Sequence, residues 1–185
     1  IANKGYCGTG ADIFTNNWTK DFWEYNPATD VWTQKADFGG TKRGEAVGFS
    51  IGTKGYIGTG ISGNSPFVFN NDFWEYDPST NVWTLKANIP GILRAYAEGF
   101  SICNYGYVGL GSGTTSGGGS VNDFYRYDPS NNTWAEMSNF AGTARRVTVG
   151  FVIGTKGYIG TGEIIYGIAK KDFWEYSQVT AAITT

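Results

Sequence analysis

Short runs of alternating apolar and polar residues fill the chain, and each run is bounded by glycine, proline, asparagine or aspartate. In the clearest stretch these runs are "EAVGFSIG" at 45–52, "KGYIGTG" at 54–60, "DFWEYD" at 72–77 and "NVWTLKA" at 81–87. Alternation with a period of two, together with many β-branched and aromatic residues, predicts β-strands. Because the connections are short enough for tight turns, the four runs, named strands a to d, predict one antiparallel meander.

The meander recurs along the chain. The decapeptide "IGTKGYIGTG" stands at 51–60 and again at 153–162, with degenerate copies at 3–10 and 104–111. A "DFWEY"-type segment in strand c and a tryptophan in strand d recur with the same period of about 51 residues. An arginine followed six residues later by a phenylalanine recurs as well, as Arg43 with Phe49, Arg94 with Phe100 and Arg145 with Phe151. Self-similarity at a fixed period predicts a repeat architecture.

A single sheet of this kind has large side chains on both faces. In strand c, Phe73 and Glu75 point to one side and Trp74 and Tyr76 to the other, since side chains alternate along a strand. Radial packing of successive sheets covers both faces, which is the arrangement of a β-propeller. The repeated aromatic residues of strands c and d are therefore predicted to be core: Phe22, Trp23, Tyr25 and Trp32 with their equivalents.

The order of these markers resembles the kelch repeat: arginine, strand, "KGYIGTG", a strand ending in "YDP", then tryptophan. The resemblance spans residues 3 to about 176, although Gly-Thr-Gly or Gly-Leu-Gly stands where kelch repeats usually have Gly-Gly. It implies an all-β fold of kelch-type β-propeller blades, each a four-stranded antiparallel meander. The segment "NDFWEYDPSTN" is similar to kelch proteins common among secreted and surface proteins of Bacteroidetes-type bacteria, which implies an extracellular or cell-surface location.

We expect one propeller segment over residues 1–185, with about 3.5 to 4 blades. The blades comprise strands b to d at 1–38, full blades at 43–87 and 94–138, strands a to c at 145–176, and a tail at 177–185. Propellers typically have four to eight blades, and an open arc exposes aromatic faces to water. Three arrangements remain open: part of a larger ring, which we favour, a ring closed by two chains, and a distorted four-bladed ring.

The strand order sends the d-to-a and b-to-c loops to one side of the disc, named the loop face. The b-to-c loops are the longest and least repeated, which is typical of segments that carry function. They lie at 11–20, 61–71, 112–122 and 163–171.

By resemblance to ligand-binding kelch domains, the arginines of the loop face are candidate contacts for a carboxylate or a sugar acid. They are Arg43, Arg94, Arg145 and Arg146. The alternative, which we favour for the repeated arginines, is an internal pair with a repeated acidic residue. The acidic candidates are Asp21, Asp72, Asp123, Asp172, Glu24, Glu75 and Glu175. Arg146 lies outside the repeat register and is the better candidate for a ligand contact.

Aromatic residues of the loops form a second set of candidates, either for stacking on sugars or for contact with a protein. They are Phe14, Trp18, Phe67, Phe69 and Tyr166. Packing against neighbouring loops is the alternative for each of them.

The composition of the chain excludes several kinds of partner and catalytic site. With 14 basic and 16 acidic residues the net charge is -2, which gives no field to attract nucleic acid. The chain has no histidine, which excludes a Ser-His-Asp triad and a histidine metal site. It also excludes the copper ligation of galactose oxidase, whose kelch propeller the chain otherwise resembles. We expect no metal, no cofactor and no membrane insertion, with calcium left open only where Asn71 and Asp72 meet a loop, although no EF-hand pattern occurs. Cys7 and Cys103 are expected to pack as small apolar side chains, with a disulfide between them left open.

We therefore expect a non-enzymatic binding or scaffolding module of a secreted or surface bacterial protein, which presents its loop face to protein or glycan. One alternative is an enzyme similar to kelch sialic-acid mutarotases, in which arginine holds the sugar carboxylate and Glu or Asp transfers protons. The other is an architectural subunit whose exposed blade faces mediate assembly, for example in a homo-oligomer.

Overall fold

The computed structural model describes residues 1–12, 15, 17–63, 66–114, 119–164 and 167–177. The described residues form β-strands, turns and loops and contain no α-helix. The all-β meanders expected from the sequence are therefore present.

Four antiparallel sheets follow one another along the chain, and each is named a blade; strands are numbered in chain order. Blade 1 comprises β1 (Gly5–Asp12), β2 (Asn17–Asn26) and β3 (Val31–Gln34). Blade 2 comprises β4 (Val47–Ile51), β5 (Lys54–Gly58), β8 (Phe73–Asp77) and β9 (Val82–Lys86). Blade 3 comprises β11 (Glu98–Ile102), β12 (Tyr105–Gly109), β14 (Phe124–Asp128) and β15 (Thr133–Met137). Blade 4 comprises β16 (Val149–Ile153), β17 (Lys156–Gly160) and β20 (Phe173–Ser177).

Three two-stranded ribbons lie on the loop face between the strands of the blades. They pair β6 (Ile61–Ser62) with β7 (Val68–Phe69), β10 (Arg94–Ala95) with β13 (Ser112–Gly113), and β18 (Glu163–Ile164) with β19 (Ile168–Ala169). The tail from residue 178 onward lies outside the described residues.

The blades share one register, so the repeated residue types meet the same partners. Strand a places its phenylalanine opposite a tyrosine of strand b, as Phe49 with Tyr56, Phe100 with Tyr107 and Phe151 with Tyr158. Strand c places its last tyrosine opposite the tryptophan of strand d, as Tyr25 with Trp32, Tyr76 with Trp83 and Tyr127 with Trp134. The 51-residue repeat of the sequence therefore corresponds to one blade.

Each junction between blades joins an aromatic face to a glycine-rich face. The Phe49 ring lies 2.5 Å from where a Cβ of Gly106 would stand, and Phe100 lies 2.6 Å from that position at Gly157. Only glycine lets the next blade approach so closely. Farther out, Phe73 is fully buried and its ring centroid lies 5.0 Å from that of Trp134.

Polar contacts fix the outer part of the same junctions. The indole nitrogen of Trp83 donates to the carbonyl oxygen of Ala36 at 3.1 Å, and the side-chain oxygen of Asn81 accepts from the Ala36 amide at 2.9 Å. Asn81 has a φ of 57°, in the left-handed region that asparagine tolerates. Trp134 and Asn132 hold Ala87 in the same way. The proline turn and the tryptophan thus hold blades 2 and 3 to the blade before each of them.

The expectation that all repeated aromatic residues are core is wrong at the two ends of the array. Trp32 of blade 1 is 52% exposed and Phe173 of blade 4 is 59% exposed, because no described residues form a further blade against either face. The expected packing of the cysteines is also wrong, since Cys7 and Cys103 are both exposed and are not bridged.

Candidate functional site

Backbone hydrogen bonds hold the described parts of the loop face. Gly44 of a d-to-a loop and Ile61 of the following ribbon exchange two backbone hydrogen bonds, of 3.0 and 2.9 Å. Arg146 and Glu163 exchange an equivalent pair, of 2.9 and 3.0 Å. In blade 1 the suggested loop at 11–20 is mostly strand, because β1 and β2 continue into it. In the described part of the loop face, backbone hydrogen bonds therefore join the d-to-a loops to the ribbons, and this part is named the framework.

The three repeated arginines lie inside this framework and each is 0% exposed. Each forms a two-pronged pair with the aspartate just before strand c, through both terminal nitrogens of the guanidinium. The distances are 2.5 and 2.8 Å for Arg43 with Asp72, 2.7 and 2.6 Å for Arg94 with Asp123, and 2.6 and 2.7 Å for Arg145 with Asp172. Such bidentate, charge-assisted pairs are among the strongest polar contacts in proteins.

The other donors of these arginines are also used. Nη1 donates to a backbone carbonyl 16 residues ahead, that of Thr59, Leu110 or Thr161, at 2.8, 3.2 and 3.0 Å. An aromatic ring lies 5.0 to 5.6 Å from each guanidinium carbon, contributed by Phe38, Tyr125 or Phe140. A ligand carboxylate could reach these guanidinium groups only by breaking buried bonds. The geometry thus favours the internal pairing and gives no support to a ligand role for Arg43, Arg94 and Arg145.

The pairing aspartates receive a further hydrogen bond in two of these blades. The indole nitrogens of Trp74 and Trp174 donate to Asp72 and Asp172 at 2.8 and 2.7 Å. Hydrogen bonds from Arg145 and then from Trp174 hold the pKa of Asp172 well below its usual range. The carboxylate is therefore charged at neutral pH, as the pair requires.

The repeated glutamates take a different partner from the one considered in the sequence. Glu24, Glu75 and Glu175 accept hydrogen bonds from the hydroxyl groups of Tyr6, Tyr56 and Tyr158 in strand b, at 2.6, 2.5 and 3.2 Å. Lysines join the same carboxylates, for example Lys4 at 2.9 Å from Glu24. These contacts join strands b and c of one blade and are structural.

Arg146, which lies outside the repeat register, is half-exposed. Its Nε donates to Glu163 Oε1 at 3.0 Å, and its guanidinium carbon lies 5.4 Å from the centre of the Tyr96 ring. The arginine side chain is 34% exposed and that of Glu163 is 32% exposed. Arg146 is therefore the one predicted arginine that a ligand could touch without unfolding a loop.

The predicted aromatic residues divide into packed and displayed ones. Trp18 packs its ring against Gly44 and donates its indole hydrogen to the Gly63 carbonyl at 3.0 Å. Phe69 is half-buried in the β6–β7 ribbon, whereas Phe67 beside it is 61% exposed. Phe14 and Tyr166 lie outside the described residues. Phe67 is thus the predicted loop aromatic that the structure displays to solvent.

A set of backbone positions two residues before the inner strands was not predicted from the sequence. Glu45, Tyr96 and Val147 have φ values of 54°, 57° and 55°, a region that residues other than glycine rarely adopt. The Tyr96 amide donates to the Glu45 carbonyl, and the Val147 amide to the Tyr96 carbonyl, both at 3.2 Å. Their 51-residue spacing places them at equivalent positions of the repeat. Glutamate, tyrosine and valine nevertheless share no preference for a left-handed backbone, so the residue types did not indicate it.

A buried carboxylate beside this set was also missed. Glu98 is 9% exposed at the start of β11 and accepts a hydrogen bond from the Thr148 hydroxyl of the next blade at 3.0 Å. Burial raises the pKa of Glu98 above its ordinary value. Valine stands at the equivalent positions, Val47 and Val149, so the repeat itself does not predict an acid here.

The described residues offer little for metal or membrane chemistry. Among them no three histidine, cysteine, aspartate or glutamate side chains are grouped closely enough to hold a metal ion. In the same part of the chain there is no helix of the length and apolarity needed to cross a bilayer.

Comparison with known proteins supports the repeat architecture. A kelch motif matches residues 109–141, which run from the end of β12 past β15. The solved structure titled "Structure of YjhT" is similar to this chain with a TM-score of 0.75 and 19% sequence identity. The similarity covers 98% of this chain but only 64% of that one, so the chain spans less than two thirds of that protein's length. In all, 153 chains of solved structures match, whereas no curated protein sequence matches significantly.

At 19% identity the structural similarity concerns the fold alone. The kelch motif lies in blade 3. The pairing of that blade's strand-b glycine with its strand-c tyrosine recurs at the same register in blades 1, 2 and 4, and its tyrosine–tryptophan pair recurs in blades 1 and 2. The resemblance expected from the sequence is confirmed: the chain carries a kelch motif and has the fold of a kelch-type β-propeller.

Proposed function

We propose that the chain is a non-enzymatic binding module that holds a protein partner on its loop face. The observation that carries this proposal is that Phe67, just before β7, and Val68, its first residue, are 61% and 50% exposed next to the paired β6–β7 ribbon. Asn70 closes the ribbon by donating to the carbonyls of Gly60 and Val68 at 3.1 Å. Apolar side chains presented on a rigid support lose little entropy on binding, which favours a protein contact.

Charge distribution supports a protein partner more than an acidic ligand. Each of the four candidate arginines already has an acidic partner within the chain. The enzymatic alternative needs an arginine that is free to hold a sugar carboxylate, so this geometry gives it no support. A glycan platform needs an unobstructed aromatic face, and Trp18 is already packed on Gly44. The extracellular location implied by the kelch resemblance stays a prediction.

The test compares variants of Phe67 and Val68 with a control variant of Val82, a valine of equal exposure elsewhere. An unbiased peptide library is selected on the chain, and the binders are then measured on Phe67→Ser, Val68→Ser and Val82→Ser variants. Val82 is also 50% exposed but lies on the outer strand β9, away from the loop face. We expect most binders to compete for one surface and to weaken by roughly tenfold on the first two variants only, as hot-spot residues do. Equal weakening by Val82→Ser, or binding of a glycan panel without any peptide binders, would contradict the proposal.

A specific observation favours an architectural role as the second candidate. The uncovered face of blade 4 displays Val149, Phe151, Ile153 and Phe173, which are 60%, 42%, 63% and 59% exposed. Exposed apolar patches of this kind mark surfaces that associate. Sedimentation velocity tests it: assembly that is lost in a Phe173→Glu variant supports this role, and a monomer at all concentrations contradicts it.

A further inference from the structure

Three of the four blades carry an ion cluster around the glutamate of strand c. In blade 1, Glu24 lies 2.9 Å from Lys4 of strand b and 3.4 Å from Lys35, just after strand d. Equivalent lysines pair with this glutamate in the other two blades: Lys86 with Glu75 at 3.4 Å and Lys156 with Glu175 at 2.7 Å. The cluster is therefore a repeated, internal feature that joins the strands of one blade.

Blade 3 replaces every member of this cluster. Arg126 stands opposite the strand-b tyrosine, where the other blades have glutamate. Tyr105 stands where they have the strand-b lysine, and Met137 where blades 1 and 2 have the other lysine. A simple exchange of charges would place an acid at one of these last two positions and keep an ion pair. Blade 3 instead presents a cation without an internal counter-ion.

Arg126 has no acidic partner within the chain. The other four arginines each pair with an acidic side chain. All 16 acidic residues lie in the described part of the chain, and none of them forms an ion pair with Arg126. Its Nε is buried without an acceptor, whereas the residue as a whole is half-buried and its terminal nitrogens are not enclosed. A partly desolvated cation of this kind favours an anion from outside the chain.

Tyr105 holds the guanidinium of Arg126 in place. The guanidinium carbon lies 4.5 Å from the centre of the tyrosine ring. A guanidinium stacked on a ring has its N–H groups at the rim of its plane, where they can donate to a carboxylate. Because Tyr105 is the first residue of β12, the charge lies at the end of blade 3 opposite the loop face.

The nearby charges favour a carboxylate over a phosphate. Asp128 lies two residues after Arg126 on the same face of β14, and its carboxylate accepts from the hydroxyl and the amide of Ser130 at 2.6 and 2.9 Å. The Ser130 contacts and, to a smaller extent, the charge of Arg126 hold the pKa of Asp128 below its usual range. A doubly charged phosphate would be repelled by this carboxylate more strongly than a singly charged ligand.

The surroundings of Arg126 favour a protein as the source of that carboxylate. Tyr105, Met137 and Tyr176 are partly buried and pack against the same inner cluster of blade 3. The hydroxyl groups of Tyr107 and Tyr176 are hydrogen-bonded to each other, so Tyr107 does not compete for the ligand. Arginine, tyrosine and methionine are enriched at the centres of protein interfaces.

We propose that Arg126 is the anchor of a second binding site, which holds an aspartate or glutamate side chain of a protein partner through its two terminal nitrogens. The apolar parts of Tyr105 and Met137 contact the residues beside that acid. The site is separate from Phe67 and Val68 and goes beyond the loop-face function proposed above. Arg126 was not among the arginines that the sequence predicted as ligand contacts.

Nuclear magnetic resonance of the arginine Nε–H groups tests the charge preference, with sodium acetate as the probe. The Arg126 signal is assigned by its loss in an Arg126→Gln variant. We expect acetate to shift this signal saturably and to leave the signals of Arg43, Arg94 and Arg145 unchanged, because those side chains are already paired. Acetamide, the neutral analogue, should cause no shift, and inorganic phosphate should bind more weakly than acetate.

Peptides distinguish a protein partner from a free carboxylate. Capped peptides with a single aspartate or glutamate and varied flanking residues are selected on the chain. The selected peptides are expected to bind more than roughly tenfold more tightly than acetate, since their flanking residues add contacts. Replacing the acid by its amide should weaken each peptide by roughly tenfold or more, because the charge-assisted pair is lost.

Protein variants place the site on Arg126. Arg126→Gln should weaken the peptides by roughly tenfold or more. Arg126→Glu combined with Tyr105→Lys restores the residues that pair in blade 4 as Glu175 and Lys156, so this variant should fold and bind none of the peptides. Lys42→Gln, which removes one positive charge from an exposed loop, should leave the affinity unchanged, as should Phe67→Ser on the loop face.

Four results would overturn the proposal. The first is no saturable shift of the Arg126 signal with acetate. The second is binding of phosphate or acetamide as tight as that of acetate. The third is peptide binding no tighter than that of acetate, which would make a free carboxylate the ligand. The fourth is a loss of peptide affinity in Lys42→Gln or Phe67→Ser as large as in Arg126→Gln.

Discussion

Blades 3 and 4 contain nearly the same inner aromatic residues in different surroundings. In blade 3, Phe100 and Phe124 are 5% and 2% exposed; at the same register in blade 4, Phe151 and Phe173 are 42% and 59% exposed. The rings stack within their own blade in both cases, for example Tyr158 on Phe173 at 5.7 Å. What differs is the following blade, which supplies Tyr176 to blade 3. The repeat therefore encodes a junction between blades, and most of its burial arises only when the neighbour is present.

Two arginines of the loop face also differ in exposure, according to whether they belong to the repeat. Arg94 is 0% exposed and pairs with Asp123 inside the framework, whereas the Arg146 side chain is 34% exposed and pairs with Glu163 at its surface. One arginine belongs to the repeat and supports the fold, while the other is particular to one blade and accessible.

The sharpest contrast is expected between two phenylalanine truncations. Phe124→Ala should lower the free energy of unfolding by about 3–5 kcal/mol, since it empties a buried site, whereas Phe173→Ala should cost less than about 1 kcal/mol. Urea unfolding followed by tryptophan fluorescence measures both. Equal losses would mean that the following blade does not stabilise the ring of Phe124.

A contrast of similar size is expected between the two arginines. Arg94→Ala leaves Asp123 without its partner in a largely buried setting and should cost about 3–5 kcal/mol. Arg146→Ala breaks a surface pair and should cost no more than about 1 kcal/mol. Thermal unfolding at matched pH and salt compares them, and a larger loss for Arg146→Ala would reverse their assigned roles.

A smaller difference is expected for glycines at equivalent positions. Gly106→Ala places a methyl group against the Phe49 ring and should cost about 1–3 kcal/mol. Gly5→Ala meets only ordinary contact with Tyr25 at 3.5 Å, so it should be neutral or slightly stabilising. Urea unfolding of both variants measures the difference, and a similar cost at Gly5 would show that β1 is as tightly covered as β12.

The smallest expected effect concerns Glu98, the acid that distinguishes blade 3 from its neighbours. Because burial raises its pKa, the folded state holds the proton more tightly than the unfolded chain does. Its contribution to stability is full below the unfolded pKa and is lost as pH rises through the folded pKa. Glu98→Gln should therefore gain stability relative to the original chain between acidic and neutral pH. Parallel pH profiles of the two proteins would contradict this assignment.

Much of the fold follows from the sequence because its signals are local and repeated. Strands predicted at 45–52, 54–60, 72–77 and 81–87 are found as β4, β5, β8 and β9. Each observed strand is one to three residues shorter than its prediction. The alternation of Phe73 and Tyr76 correctly predicts that both faces of blade 2 are covered, since both side chains are 0% exposed.

The features that the sequence does not predict depend on contacts between strands and between blades. The choice of Asp72 over Glu75 as the partner of Arg43 is decided by loop geometry, and Tyr56 takes the glutamate instead. The left-handed backbone of Tyr96 and the burial of Glu98 arise where adjacent blades meet, so neither has a pattern in its own blade. The repeat register alone distinguishes Arg146 from Arg145. Its pair with Glu163 is formed only in the folded structure, where the β18–β19 ribbon brings Glu163 beside it.

The most direct test of the junction is a double-mutant cycle between Phe49 in blade 2 and Gly106 in blade 3. If the Phe49 ring is what excludes a Cβ at Gly106, the cost of Gly106→Ala in free energy of unfolding should fall by more than about half in a Phe49→Ala background. Costs that add to within about 0.5 kcal/mol would show that the two residues do not meet, and would contradict the repeated junction as the basis of the fold.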